Sequence, residues 1–215
     1  ELMAVVKADD YGHGLLPVAR AFAGAGIERL CVASLDEALA LRAAEIETDI
    51  LVLFAIPPDG LGDAARHSIQ VSITDDGPLL AALEQGGFEG LVGVCVEVET
   101  GLTRGGVRPD ALAEILRRVR ASQKALGPLD VWTHLASPED EEAAAAQAAA
   151  FEEAVELAAK AGEFTGVRRH MAATGGLLTG RAPQYEGARI GLGLYGLLPE
   201  DLPIPEHLRP AAERL

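Results

Sequence analysis

The sequence is poor in cysteine, tryptophan and basic residues, and it contains no long apolar run. Its 215 residues include two cysteines, one tryptophan and 18 lysines or arginines against 33 acidic residues, which gives a formal net charge of −15. This excess of acid argues against a nucleic acid or an anionic membrane as partner. No run reaches the roughly 18 apolar residues of a membrane span, and no basic and then apolar start indicates a signal peptide. We therefore expect a cytoplasmic protein.

The two cysteines, Cys31 and Cys95, lie in apolar segments that are typical of buried strands. We interpret them as buried thiols, because a disulfide or a metal pair would need a different setting and spacing. The histidines show no spacing with acids or cysteines that is typical of a metal site. We therefore expect no metal.

Short apolar segments alternate with helical patterns along the whole chain. The predicted strands cover residues 2–6, 29–33, 49–54, 69–73, 91–98, 129–133, 166–170 and 188–192. Strands separated mostly by helices predict a parallel sheet with right-handed crossovers. Their number suits a closed (β/α)₈ barrel, and an open doubly wound sheet is the alternative. No linker rich in glycine, proline and serine divides residues 1–215, so we expect a single domain.

Two of the predicted helices begin with recognisable capping sequences. Ser34, followed by Glu37 three residues later, forms a capping box. Ser137 predicts a second N-cap, because Pro138 then takes the first helical position and acidic residues follow. The predicted helices cover residues 15–25, 35–44, 60–66, 77–85, 109–125 and 138–161.

The first strand ends in a lysine, within Val6-Lys7-Ala8-Asp9-Asp10-Tyr11-Gly12-His13-Gly14. Alternation places Lys7 on the same face as Met3 and Val5. A partly buried amine is less stable in its charged form, so its pKa should fall, as suits a lysine that forms a Schiff base. The glycines around His13 predict a tight turn whose backbone can approach a ligand.

Two later strand ends offer groups that suit an anion. Thr174-Gly175-Gly176 follows the seventh strand, and Arg189-Ile190-Gly191-Leu192 forms the eighth. Barrels of this class bind phosphate after these two strands, and a hydroxyl followed by glycine amides suits such a group. Together with Lys7, the two stretches predict a phosphate-bearing cofactor across the barrel mouth.

These motifs resemble those of the fold-type III enzymes that use pyridoxal 5'-phosphate (PLP), and of the alanine racemases in particular. The resemblance implies that Lys7 carries PLP as a Schiff base. It also implies that Tyr11, Thr174, Gly191 and Leu192 contact the phosphate of the cofactor.

The resemblance extends to the ring of the cofactor. It implies that Arg189 faces the pyridine nitrogen, that His170 orients Arg189, and that His134 lies against the ring. An arginine keeps its protons at neutral pH, so it prevents the ring nitrogen from gaining its own. The cofactor then withdraws electrons weakly, which favours racemisation over transamination.

A third motif resembles the substrate-binding arginine of the same family. The segment Glu99-Thr100-Gly101-Leu102-Thr103-Arg104 implies that Arg104 contacts the phenolic oxygen of the cofactor and the substrate carboxylate. Many racemases carry a carbamylated lysine seven residues earlier, where this chain has Glu97. We predict that the Glu97 carboxylate orients Arg104 without modification.

The activity implied by the resemblance is interconversion of L- and D-alanine, with Lys7 exchanging the proton at Cα and a homodimer in the full-length protein. The family has a C-terminal β-domain that carries the second acid/base tyrosine, and we expect that domain to be absent here. Three alternatives remain open. They are a single-barrel PLP-binding homeostasis protein without turnover, another amino-acid racemase or lyase of the same fold type, and a barrel for another phosphate.

Overall fold

Eight parallel strands form one curved sheet in the order β7-β6-β5-β4-β3-β2-β1-β8. The computed structural model describes residues 1–75, 77–197 and 202–206, apart from the side chains of 126–128. The strands are β1 Leu2–Val5, β2 Arg29–Val32, β3 Asp49–Val52, β4 Ile69–Ile73, β5 Val92–Glu97, β6 Ala125–Trp132, β7 Val167–His170 and β8 Ala188–Ile190.

The two edges of this sheet meet. Gly187 N donates to Arg169 O at 3.2 Å, and Arg189 N donates to Ala172 O at 2.9 Å, so β8 lies beside β7 as well as beside β1. A doubly wound sheet would reverse its strand order at a switch point, whereas this order follows the chain. The (β/α)₈ barrel is therefore confirmed, and the open-sheet alternative is wrong.

Helices or short helical turns connect the strands. The helices are α1 Lys7–Tyr11, α2 Leu15–Gly24, α3 Leu35–Ala43, α4 Leu61–Arg66, α5 Pro78–Gln85, α6 Leu112–Ala121, α7 Glu141–Lys160 and α8 Thr174–Leu178. Within the part of the chain that the structure describes, 3₁₀ turns cover Pro58–Gly60, Pro109–Ala111 and Leu192–Tyr195. No helix in the described ranges combines the length and apolar character needed to cross a bilayer.

The prediction around β6 needs correction. The predicted helix 109–125 is a 3₁₀ turn followed by α6, and β6 begins at Ala125 instead of residue 129. Pro128 lies within β6 although proline cannot donate to a sheet ladder. The sheet accepts it through a register shift between Gly93 and Cys95 on the neighbouring strand.

The two predicted caps have different outcomes. The Ser34 cap is confirmed, since its hydroxyl accepts a hydrogen bond from Glu37 N at 3.3 Å. The Ser137 cap is wrong, because α7 starts three residues later than predicted. Its N-cap is Asp140, whose Oδ1 accepts from Ala143 N at 3.0 Å. Ser137 O instead accepts from Asp140 N, so the Ser-Pro pair forms the preceding turn.

Apolar residues fill two layers, one between the strands and the helices and one inside the barrel. The inner layer consists of Met3, Val5, Cys31, Leu51, Leu53, Cys95 and Trp132. Both cysteines are buried free thiols, as the sequence predicts. Burial raises the pKa of the Cys31 thiol to about 12, so it stays protonated at neutral pH.

The segment after β1 winds left-handed. Ala8, Asp9, Asp10 and Tyr11 have φ between 54° and 56°, in the region that L-residues rarely occupy. Each such residue costs roughly 1–2 kcal/mol, so the surrounding contacts must hold the turn. Asp10 is fully buried, and its Oδ2 accepts a hydrogen bond from the hydroxyl of Tyr195 in the 3₁₀ turn Leu192–Tyr195.

We expect Tyr195→Phe to destabilise the protein by about 1–3 kcal/mol, because the buried Asp10 carboxylate would lose its hydroxyl donor. The other oxygen of Asp10 has no hydrogen-bond partner among the described residues. Urea unfolding followed by circular dichroism measures the change. Tyr185→Phe is the matched control, since its hydroxyl donates at 2.5 Å to Glu152, whose side chain is 42% exposed. Equal losses in the two variants would contradict this account of the turn.

Candidate active site

A cavity of about 370 Å³ opens at the carboxyl ends of the strands. Eight of the residues predicted from the sequence to contact a cofactor or substrate line it: Lys7, Tyr11, Arg104, His134, Thr174, Arg189, Gly191 and Leu192. The remaining two predicted residues, Glu97 and His170, stand behind Arg104 and Arg189. Residues from five strand ends therefore converge on one space, although their roles stay predictions.

Lys7 projects into this cavity from the end of β1. Its Nζ lies 5.7 Å from the centre of the Phe54 ring, and no described carboxylate lies within 4.0 Å of it. Partial burial lowers the pKa of the Lys7 amine, and the positive charges of Arg104 and Arg189 lower it further against the opposing effect of Glu37. The amine is thus easier to deprotonate than a solvated lysine.

One end of the cavity is built from backbone amides and hydroxyls. Thr174, Gly175 and Gly176 form the first turn of α8, where amides lack intrahelical acceptors. Across from them lie Gly191 and the Tyr11 hydroxyl. A Cβ at position 191 would overlap that hydroxyl, so only glycine permits this close approach. The arrangement suits a phosphate group, which needs several convergent donors.

The guanidinium of Arg189, which is almost completely buried, also lines the cavity. It donates to Thr133 O at 2.8 Å and to the Nδ1 of His170, and it lies 4.3 Å from the centre of the Trp132 ring. Burial lowers the pKa of Arg189 to about 10, so the group remains protonated at neutral pH. A permanent hydrogen-bond donor therefore faces the cavity.

Two neutral histidines accompany this cation. Burial, and then the charge of Arg189, lower the pKa of His134 to about 3, and the same causes hold the pKa of His170 far below its ordinary value. The Nδ1 of His134 lies 3.4 Å from the Arg189 guanidinium. Both rings are uncharged at neutral pH, so they can accept hydrogen bonds from the arginine.

Arg104 stands at the mouth with its side chain 34% exposed. Its guanidinium donates at 2.9 Å to Oε1 of Glu97, which is 3% exposed, so the contact required by the orientation hypothesis is present. Burial raises the pKa of the Glu97 carboxyl, although the Arg104 charge opposes that shift. The pair leaves the other guanidinium nitrogens of Arg104 available to a carboxylate in the cavity.

Two residues that the sequence did not assign to the site, Gln147 and Glu37, hold parts of it in place. Gln147 donates to His134 O at 3.0 Å and accepts from Ala136 N at 2.8 Å, which fixes the loop after β6. Glu37, noted only as part of a cap, accepts from Ala33 N at 2.8 Å and from Asp9 N at 3.3 Å. The contacts of Gln147 and the contact of Glu37 with Asp9 join separate segments, so spacing in the sequence gives no signal for them. The contact of Glu37 with Ala33 is local, as expected near a capping box.

One group of described residues has the composition of a metal site, namely Cys95, Asp130 and His170, whose potential ligand atoms lie within 4.8 Å of one another. Both oxygens of Asp130 already accept hydrogen bonds from arginine guanidiniums. Positive charge around the carboxylate opposes a bound cation.

Comparison with known proteins agrees with this geometry. A family model described as the alanine racemase N-terminal domain matches residues 1–199. An alanine racemase of Beutenbergia cavernae is 40% identical over 205 residues, which cover 93% of this chain and 54% of that protein. The chain therefore spans about half the length of the curated relatives it matches.

Solved structures give the same result. Alanine racemase from Streptomyces lavendulae is 32% identical with a TM-score of 0.80, over 97% of this chain and 56% of that one. The enzyme from Corynebacterium glutamicum is 30% identical with a TM-score of 0.81, over 96% of this chain and 59% of that one. On the match over residues 1–199 and the shared barrel, the chain belongs to the alanine racemase N-terminal domain family.

Proposed function

We propose that this chain is the PLP-binding barrel of an alanine racemase, which interconverts L- and D-alanine. One observation carries the proposal. An amine with a lowered pKa, a cradle of amides and hydroxyls, and a permanent cation converge on a single cavity. A homodimeric, cytoplasmic enzyme is the setting that we propose with this activity.

The residues present fit PLP, which carries an aldehyde, a phosphate and a pyridine nitrogen. Lys7 would take the aldehyde, and Tyr11, Thr174 and the amides beside Gly191 would take the phosphate. The close approach of Tyr11 to Gly191, which leaves no space for a side chain, is the cradle that this requires. Arg189 would donate to the ring nitrogen.

When bound, PLP supplies an electron sink for the charge that develops as Cα loses its proton. Lys7 would hold that proton, since its lowered pKa makes the neutral amine accessible. Arg104 would bind the carboxylate of the amino acid by charge-assisted hydrogen bonds. Arg189 would donate a hydrogen bond to the ring nitrogen, so that this nitrogen would stay unprotonated. The ring would then withdraw electrons less strongly, which favours return of the proton to Cα.

Racemisation also needs an acid/base group on the opposite face of Cα. We propose that the C-terminal domain of the full-length enzyme supplies it, in keeping with the share of its relatives that this chain covers. A PLP carrier without turnover is less favoured. The hydrogen bond to Glu97 holds the Arg104 guanidinium at the mouth of the cavity, where it would bind the carboxylate of a substrate.

We expect borohydride reduction of the protein with PLP to leave a pyridoxyl group on Lys7. The lowered pKa of Lys7 increases the neutral fraction of its amine at a given pH, so labelling should persist to lower pH than for an unperturbed lysine amine. Peptide mapping by mass spectrometry locates the label. The Lys7→Ala variant should lose the pyridoxyl label. The control variant Lys124→Ala should keep it, because the Lys124 amine donates to Phe88 O outside the cavity. A label elsewhere in the wild type refutes the assignment.

Gly191→Ala should weaken PLP binding by about tenfold or more, because the added methyl group displaces the Tyr11 hydroxyl, and each tenfold corresponds to about 1.4 kcal/mol. Equilibrium titration monitored by absorbance measures the affinity. Gly87→Ala is the control, since its Cβ would point into open space at an exposed position. Unchanged affinity in the Gly191→Ala variant would show that the phosphate does not bind beside Gly191.

We expect the PLP-loaded protein to exchange the Cα proton of L-alanine with deuterated solvent, because Lys7 can act on one face without the second group. Proton NMR of the recovered alanine measures the exchange. Arg104→Leu should slow it by about tenfold or more, since charge-assisted hydrogen bonds to the carboxylate are among the stronger ones. A loaded protein that exchanges nothing would support the carrier instead.

A further inference from the structure

A buried ionic cluster lies inside the barrel beneath the cavity. Asp130 on β6 is completely buried. Its carboxylate accepts from Arg168 Nε at 2.7 Å, from a second Arg168 nitrogen at 3.0 Å and from Arg29, and the Cys95 thiol lies 3.7 Å away. Asp130 is thus paired with the guanidiniums of two arginines inside the barrel.

His170 lies between this cluster and the candidate active site. Its Nδ1 faces Arg189, while its Nε2 lies 4.0 Å from an oxygen of Asp130 and has no hydrogen-bond partner among the described residues. The Trp132 ring stacks on the imidazole, at 6.0 Å between centres and 11° between planes. This stacking supports a ring orientation in which Nδ1 points towards Arg189 and Nε2 points towards Asp130.

The hydrogen-bond chemistry of Arg189 determines where the His170 proton resides. A guanidinium can only donate, so the Nδ1 that it faces must accept, and a neutral imidazole then carries its proton on Nε2. That N–H is buried, and leaving it without an acceptor is unfavourable. A shift of about 1 Å would bring the Asp130 oxygen within hydrogen-bond distance.

We propose that Asp130 is a positioning residue for the cation of the site. Its carboxylate attracts the Nε2 proton of His170, which keeps the lone pair of Nδ1 directed at Arg189 and so fixes the guanidinium that faces the cavity. The function of that guanidinium towards PLP rests on the proposed function above, whereas the state of the histidine does not.

The alternative is that Asp130 only neutralises the arginines around it. Arg29 and Arg168 also approach Glu1, at 3.2 and 3.1 Å, so their charges have a second partner. A purely structural Asp130 would affect stability without affecting the proton on His170. The two accounts therefore differ in a spectroscopic observable.

The test uses ¹⁵N-labelled protein without PLP and compares the two nitrogens of His170 by NMR. In the wild type we expect Nε2 to be protonated and Nδ1 to be unprotonated. Asp130→Asn removes the charge at nearly constant volume, and the fraction of the Nδ1–H tautomer should rise by about tenfold, because the negative charge 4.0 Å from Nε2 is lost.

Arg168→Met is the matched control, because it removes a hydrogen-bond partner of Asp130 but keeps the carboxylate that lies 4.0 Å from Nε2 of His170. It should lower stability comparably and leave the His170 tautomer unchanged. The proposal is overturned if both variants change the tautomer alike, or if Asp130→Asn leaves it as it was. A wild-type protein with its proton on Nδ1 also overturns the proposal, even where the variants fail to fold.

A second readout concerns the loaded protein. The absorption maximum and the affinity of bound PLP should change in Asp130→Asn and not in Arg168→Met, since only the first loosens Arg189. If Lys7 binds no PLP in the wild type, the proposed function fails, while the tautomer measurement still decides the role of Asp130.

Discussion

The burial of a permanent positive charge inside the barrel is the constraint on which the site depends. Arg189 is 3% exposed, and an unpaired charge at that depth would be strongly destabilising. The protein supplies a carbonyl oxygen of Thr133, the Nδ1 of His170 and the face of Trp132 as partners. Because both neighbouring histidines are kept neutral, the arginine faces acceptors instead of further positive charge.

The charge of Arg189 also affects the amine of Lys7 in the same cavity. Burial lowers the pKa of Lys7, and the charges of Arg104 and Arg189 lower it further, so the groups that would bind the rest of cofactor and substrate also make the amine easier to deprotonate. The left-handed turn after Lys7 carries Tyr11 to Gly191 and closes the phosphate end. A strained turn of this kind persists only where surrounding contacts determine it, and the buried Asp10 provides one of them.

The sequence was sufficient to predict the barrel and the residues at its mouth, because strand ends are readable from apolar runs and from the polar residues that follow them. It was insufficient wherever the decisive partner lies far away in the chain. The alternation of β6 could have placed Asp130 on the same face as Trp132, inside the barrel. Its partners Arg29 and Arg168, however, come from other strands, and only the closed sheet brings them together.

Local chemistry also left choices that only the fold could decide. Ser137 and Asp140 are both good N-cap residues, and the start of α7 selects the second. The turn from Ala8 to Tyr11 contains no glycine, and although aspartate tolerates positive φ, Ala8 and Tyr11 rarely adopt it, so composition does not predict four such residues in a row. In both cases tertiary contacts determine which of several permitted local structures forms.

The most direct measurement is a crystal structure of the protein grown with PLP. The account predicts continuous electron density from Lys7 Nζ into the ring, the phosphate beside Tyr11 and Gly191, and the ring nitrogen within hydrogen-bond distance of Arg189. Density that joins PLP to another lysine, or a ring whose nitrogen points away from Arg189, would contradict it.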